Sequence, residues 1–147
     1  MEGRIQSVDT LSRILALDYG EKRIGIALSD PMQLFAKPYC VIENAGFKPV
    51  LSKVMEFIEE HEVGLVVVGL PYSENGEHSS KTIETETFTD KLRASLTVPV
   101  LAWDERFSTR EANEYLKQLG YSWQEAKKHI DAMAACMILK SYLESKP

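Results

Sequence analysis

Asp18 ends the first apolar run of the sequence. Ile14, Ala16 and Asp18 alternate onto one face of a predicted strand, and Gly20 follows two residues later. In open α/β sheets, sites form at the carboxyl ends of the strands, so an acid at this position is a candidate catalytic group. The alternative is a turn aspartate that bonds the backbone in front of the glycine.

A second acidic position, Asp104-Glu105-Arg106, directly follows the last predicted strand, Val98–Trp103. Adjacent residues of a strand point to opposite faces, so we expect one of the two acids to face a site and the other to point away. Arg106 is suited to pair with either acid or to hold a phosphate. The alternative is a polar loop in front of a helix whose first turn Ser108 caps.

Asp131 is a third candidate, and it lies in the last predicted helix. Ala134, Ala135 and Ile138 follow at i+3, i+4 and i+7, so the acid shares the helix face that packs on the sheet. A buried carboxylate is costly unless it is paired or binds a cation. An arginine partner is therefore the alternative to a metal.

Convergence of these three carboxylates at one end of the sheet would create a site for hard divalent cations with oxygen ligands, Mg²⁺ or Mn²⁺. Such a site suits phosphodiester hydrolysis, in which one metal activates water and another stabilises the leaving oxygen. The sequence contains no P-loop, no G-x-S-x-G and no H-E-x-x-H. The chemistries that depend on those motifs have no support.

The elements that must position the acids follow the order β-β-β-α-β-α-β-α-α. Strands at Ile14–Tyr19, Arg23–Ser29 and Leu34–Ile42 are close enough in sequence to pair antiparallel. Two later apolar runs, Leu65–Gly69 and Val98–Trp103, are each reached through a helix, which is typical of parallel pairing. We expect an α/β fold with a mixed five-stranded sheet, three antiparallel strands followed by two parallel ones, and helices on both faces. Capping boxes at Ser108 and Ser122 begin the two closing helices.

The chain of 147 residues is suited to one domain. We expect a flexible tail over residues 1–12 and a single domain over residues 13–147. Cys40 and Cys136 lie far apart and predict reduced thiols in a cytoplasmic protein. The N-terminus has no apolar core of a signal peptide, and no apolar run is long enough to span a membrane, so no membrane association is expected.

The net charge of −5 argues at first against nucleic acid as a partner. The whole acidic excess, however, lies in residues 51–100, which contain none of the three candidate acids. The segments with those acids are neutral, and two bound divalent cations would make that region positive. Lys22, Arg23 and Arg106 are then candidates for phosphate contacts. We expect modest affinity for nucleic acid that depends on salt and on metal.

Four motifs in order resemble the YqgF (RuvX) family over roughly residues 13–145. They are Leu17-Asp18-Tyr19-Gly20 with Lys22–Ala27, then Val68-Gly69-Leu70-Pro71, then Asp104–Thr109, then Ile130-Asp131-Ala132. Each motif alone is weak, but the four together in this order are specific. The third acid is followed by Ala132-Met133 where the family pattern has Ser-x, a departure that affects hydrogen bonding around the site.

The resemblance implies an RNase H-like fold, similar to that of the Holliday junction resolvase RuvC. It implies a nuclease of the precursor 16S rRNA, active in 5′-end processing, or a Holliday junction resolvase. Carried over motif by motif, Asp18, Glu105 and Asp131 are the metal-binding catalytic acids, and Arg106 contacts the scissile phosphate. The Gly69-Leu70-Pro71 loop borders the site.

The function expected from the sequence is therefore a metal-dependent endonuclease that takes nucleic acid, precursor rRNA or branched DNA, as substrate. A homodimer is compatible with the resemblance to resolvases. A first alternative, the actin-like sugar kinases, shares the Asp-x-Gly hairpin but requires a second domain that 147 residues do not provide. The other alternative is a non-catalytic RNase H-like module that binds nucleic acid.

Overall fold

The five strands and the four helices whose bounds lie within the described residues follow the order predicted from the sequence. The computed structural model describes residues 12–71, 79–105, 109–122, 124–125 and 132–146. The strands are β1 Arg13–Asp18, β2 Arg23–Ser29, β3 Ala36–Glu43, β4 Val63–Leu70 and β5 Val100–Asp104. The helices are α1 Phe47–His61, α2 Ser80–Ser95, α3 Thr109–Gln118 and α4 Met133–Ser145.

The five strands form one mixed sheet in the order β3-β2-β1-β4-β5. Strand β1 pairs antiparallel with β2 and parallel with β4, and β4 pairs parallel with β5. The predicted fold class is confirmed. Because β1, β4 and β5 run in the same direction, their carboxyl ends meet along one side of the sheet. We call this side, marked by Asp18, Leu70 and Asp104, the carboxyl edge.

Two hydrophobic cores lie on the two faces of the sheet. Ile14, Ala16 and Val67 pack with α4 on one face. Leu15 and Leu17 pack with residues of α1 and α2 on the other face. Burial on both faces explains why the central strands are continuous apolar runs rather than alternating ones. The alternation also places Asp18 on the α4 face, since side chains of a strand point to opposite faces in turn.

Strand β3 begins at Ala36, two residues later than the sequence predicted, and Asp30 explains the difference. Its carboxylate accepts hydrogen bonds from the backbone N–H groups of Met32 (3.1 Å), Leu34 (2.8 Å) and Phe35 (2.7 Å). These bonds hold the backbone of residues 31–35 in a turn, and the ladder with β2 starts only afterwards.

The capping box predicted at Ser122 is present. The Ser122 N–H donates to Glu125 Oε1 (3.0 Å), and the Glu125 N–H donates to Ser122 Oγ (3.2 Å). The box predicted at Ser108 and, apart from Ser12, the predicted N-terminal tail lie outside the described residues. Within the described part of the chain, no helix has the length and apolar character that crossing a membrane requires.

Candidate active site

The carboxyl edge brings Asp18 and Glu105 together. Asp18 is the last residue of β1, and Glu105 is the first residue after β5. Both side chains are partly buried, and their carboxyl groups form a hydrogen bond with each other. We call these two residues the acid pair. An acid that ends β1 and an acid that follows β5 thus form one site.

The meeting of the acid pair depends on Gly69. Strand β4 lies between β1 and β5, so the two acids stand on strands about 9.6 Å apart. Gly69 occupies β4 at this level, and a Cβ atom added there would lie 3.5 Å from the Cβ of Glu105 and 2.3 Å from Cδ1 of Ile138. The absence of a side chain on β4 leaves the space across which the carboxyl groups meet and lets α4 approach the sheet.

Burial raises the pKa of both members of the acid pair. For Glu105, burial comes first and the negative charge of Asp18 second, and together they raise its pKa from 4.5 to about 8. Burial also raises the pKa of Asp18, although the charge of Lys81 and the hydrogen bond from Glu105 oppose this shift. Near neutral pH, the protonated Glu105 therefore donates to the Asp18 carboxylate, because two carboxylates this close do not both ionise readily.

Lys81 is a site residue that the analysis of the sequence missed. Its positive charge lowers the pKa of both Asp18 and Glu105, and its side chain is exposed. It lies in the first turn of α2, two residues after the N-cap Ser79, which forms a capping box with Thr82. That Ser-x-x-Thr spacing, placed shortly after Gly69-Leu70-Pro71, is the signal that would have located Lys81 beside the carboxyl edge.

The end of β4 holds both sides of the site in place. The Leu70 carbonyl accepts a hydrogen bond from the Glu105 N–H (3.0 Å). The Pro71 carbonyl accepts one from the Thr82 hydroxyl. The Leu70 carbonyl thus fixes the position of Glu105, and the Pro71 carbonyl fixes the helix turn that contains Lys81. The Gly69-Leu70-Pro71 segment borders the site in this way.

The remaining predicted residues are placed as follows. Lys22 and Arg23 are exposed in and after the hairpin that joins β1 to β2, at the same end of the sheet as Asp18. Asp104 is exposed, whereas its neighbour Glu105 turns to Asp18, as the alternation of a strand requires. Arg106 and Asp131 lie outside the described residues.

The donor set of the acid pair fits a hard divalent cation. It consists of carboxylate oxygens, the ligands that Mg²⁺ and Mn²⁺ prefer. A bound cation would relieve the repulsion that the proton on Glu105 otherwise relieves. No group of three ligating side chains is assembled by residues 12–71, 79–105, 109–122, 124–125 and 132–146. The third predicted acid, Asp131, is not among them.

The strand order β3-β2-β1-β4-β5, with an acid at the end of the central strand and a second acid after β5, defines a protein of the RNase H-like class with a carboxylate site at its carboxyl edge. The model of the RuvX family, described as Holliday junction resolvase, matches residues 12–145. The chain belongs to this family. The family membership predicted from the four motifs is confirmed.

Two relatives align with nearly the whole chain. One, from Syntrophomonas wolfei subsp. wolfei, is 42% identical over 132 residues, which are 90% of this chain and 94% of that protein. The other, from Maridesulfovibrio salexigens, is 38% identical over 131 residues, 89% of this chain and 97% of that protein. Both carry the name "Putative pre-16S rRNA nuclease".

Two solved structures share the fold. RuvC of Thermus thermophilus superposes with a TM-score of 0.60 at 14% identity, covering 90% of this chain and 95% of that chain. The fowlpox virus resolvase, solved with its Holliday junction DNA, superposes with a TM-score of 0.57 at 16% identity, covering 90% and 97%. At these identities the likeness concerns the fold, and it agrees with the RNase H-like sheet predicted from the sequence.

Proposed function

We propose that this protein is a metal-dependent endonuclease that hydrolyses phosphodiester bonds of precursor 16S rRNA during 5′-end processing. The observation that carries the proposal is the acid pair, two partly buried carboxyl groups in hydrogen-bond contact at the carboxyl edge of an RNase H-like sheet. The names of the relatives from Syntrophomonas wolfei and Maridesulfovibrio salexigens support the choice of substrate.

In this proposal, Asp18, Glu105 and Asp131 hold Mg²⁺ or Mn²⁺. The metal, when bound, supplies water activation and stabilisation of the leaving oxygen. The pair itself is suited to the task because it combines oxygen ligands with a local excess of negative charge that only a cation or a proton relieves. Glu105 gives up its proton on metal binding, so metal affinity rises with pH.

The cationic residues around the acid pair orient the substrate. Lys81 lies on the α2 side, where its charge acts on both carboxyl groups. Lys22 and Arg23 are exposed on the hairpin side, and we assign to them and to Arg106 contacts with phosphates. These residues attract the strand to a site whose own charge is negative without metal. A cytoplasmic location follows from the proposed substrate, and a homodimer remains a prediction.

The Asp18→Asn variant tests the catalytic assignment. Asparagine keeps the size of the side chain but loses the charge, so we expect a loss of more than 100-fold in cleavage of an RNA that carries the 5′ extension of 16S rRNA, measured with Mn²⁺ and with Mg²⁺. Asp30→Asn is the matched control, because Asp30 serves a turn at the start of the β2–β3 connection and lies outside the site. Full activity of a folded Asp18→Asn protein would refute the assignment.

A second candidate function is resolution of branched DNA, which the family description favours. A four-way DNA junction tested beside the precursor RNA, under identical metal conditions, separates the two. If only the junction is cleaved, branched DNA is the substrate instead of precursor RNA, and the acid pair is still assigned as the catalytic site. Binding of RNA without cleavage of either substrate would favour a non-catalytic module.

A further inference from the structure

A groove of about 450 Å³ is lined on one side by Tyr19, the residue after Asp18. We call it the aromatic groove, and its principal lining residues are Tyr19, Phe47, Ile83, Glu84, Phe88 and Lys91. Tyr19 directly follows Asp18 in the chain, and α2 contributes both Lys81 and four of these residues. The groove therefore lies at the same end of β1 as the candidate active site, on the opposite face of the sheet.

The walls of the aromatic groove are suited to a planar ring. Tyr19 and Phe88 have ring centroids 4.5 Å apart, and Phe47 meets Phe88 edge-on at 6.2 Å. Phe88 is buried, whereas Tyr19 and Phe47 are only half-buried. Ile83 at the rim is 56% exposed. Accessible aromatic side chains are the surfaces on which unpaired bases stack, and Ile83 adds apolar surface beside them.

The charges of the aromatic groove distinguish a base from a phosphate. Glu21 and Glu84 line it, and their carboxylates repel phosphate but accept hydrogen bonds from the N–H groups of a base. Lys91 lies 5.7 Å from the centroid of the Phe47 ring and about 15 Å along α2 from Lys81. Lys81 and Lys91 thus lie toward the two ends of the surface, and the part between them suits an uncharged ring that carries hydrogen-bond donors.

We propose that the aromatic groove binds one unpaired nucleobase of the substrate strand, adjacent to the phosphate at the acid pair. This inference deepens the proposed function and rests on it. It implies that the strand is open, not paired, at one nucleotide beside the cleavage position. Backbone phosphates on either side of this nucleotide meet Lys81 and Lys91.

A series of single-stranded RNAs with one abasic nucleotide, moved along the strand, tests the proposal. Binding is measured by fluorescence anisotropy with Ca²⁺ in place of Mg²⁺ or Mn²⁺. We expect one position at which loss of the base weakens binding by about tenfold or more, the usual effect of one stacked base. Equal affinity for every abasic RNA would overturn the proposal.

The Ile83→Glu variant locates the effect in the groove. We expect it to bind intact RNA about tenfold more weakly and to lose the preference for intact over abasic RNA at that position. Met55→Glu is the matched control, because Met55 is also a half-exposed apolar residue of a helix but does not line the groove. An Ile83→Glu protein that keeps the preference would place the base elsewhere and refute the assignment.

Cleavage of the precursor RNA with Mn²⁺ is measured in parallel, so that the two proposals fail separately. Wild-type protein that discriminates between intact and abasic RNA but cleaves nothing contradicts only the nuclease. Wild-type protein that cleaves but does not discriminate contradicts only the groove. Absence of any RNA binding contradicts both.

Discussion

Glu105 makes the stability of the metal-free protein depend on pH in a direction opposite to that of most carboxyl groups. Its pKa is about 8 in the folded state and near 4.5 when unfolded. Between these values the folded state holds a proton that the unfolded state has lost. The free energy of unfolding must therefore fall as the pH rises through this window, because stability rises with pH only where the unfolded state binds more protons.

The magnitude follows from the width of the window. It spans about three and a half pH units, and each unit corresponds to about 1.4 kcal/mol. The full shift sets a ceiling of about 5 kcal/mol. The cost is shared with Asp18, and solvent reaches part of the Glu105 side chain, so we expect about 2–4 kcal/mol between about pH 5 and about pH 8.

Urea unfolding of wild-type and Glu105→Gln protein in EDTA measures this dependence. Glutamine keeps the size of the side chain and the ability to donate a hydrogen bond to Asp18, but it does not ionise. We expect the Glu105→Gln protein to lose most of the decline in the free energy of unfolding that wild type shows over this range. If both proteins decline equally, the proton is not on Glu105 and the electrostatic description of the acid pair is wrong.

The same experiment with divalent cation tests the fit of a metal. At about pH 8, added Mg²⁺ or Mn²⁺ should recover part of the stability of wild-type protein and little in Glu105→Gln, because a ligand that binds only the folded state stabilises it. At about pH 5 the recovery should be smaller, since a proton then competes with the metal. Equal stabilisation of both proteins would place the cation outside the acid pair.

Three further predictions concern single residues. Gly69→Ala places a Cβ 2.3 Å from Cδ1 of the buried Ile138, and we expect it to lower the free energy of unfolding in urea by about 1–3 kcal/mol. Ile138→Val removes that methyl group. The double variant should therefore be more stable than the sum of the two single effects predicts. Lys81→Met should weaken RNA binding and reduce its dependence on salt by about one phosphate contact in a salt titration, and an unchanged slope would remove Lys81 from the substrate path. Asp30→Ala leaves three backbone N–H groups without their acceptor and should cost about 1–2 kcal/mol in thermal or urea unfolding while activity per folded molecule is retained.

The sheet order could be predicted because the signals are local. Short connections predict antiparallel strands, and continuous apolar runs reached through helices predict parallel ones. The start of β3 could not be predicted, because the side chain of Asp30 accepts hydrogen bonds from the backbone N–H groups of Met32, Leu34 and Phe35. The two capping boxes show the same contrast. The Ser-x-x-Glu pattern predicts the box at Ser122, whereas the box at Ser79 is formed with Thr82, a residue that the usual pattern does not contain.

The candidate site was accessible to sequence reasoning only in part. Asp18 and Glu105 stand at strand ends, where chain position predicts side-chain location. Lys81 acts through its long side chain from a helix turn that the Pro71 carbonyl holds in place, and no sequence periodicity encodes that contact. The aromatic groove combines residues from the β1 hairpin, α1 and α2, whose proximity exists only after the sheet and both helices have packed.

The central position of β1 also orders the events of synthesis. Strand β1 is made early and lies between β2 and β4 in the sheet. The β1–β2–β3 meander can therefore pair as soon as it is made, but one side of β1 stays unpaired until β4 is made. Glu105 follows β5, the last strand among the residues that the structure describes. A nascent or truncated chain that ends before β5 thus carries Asp18 but no acid pair. The acid pair is completed late, when the greater part of the polypeptide has already left the ribosome.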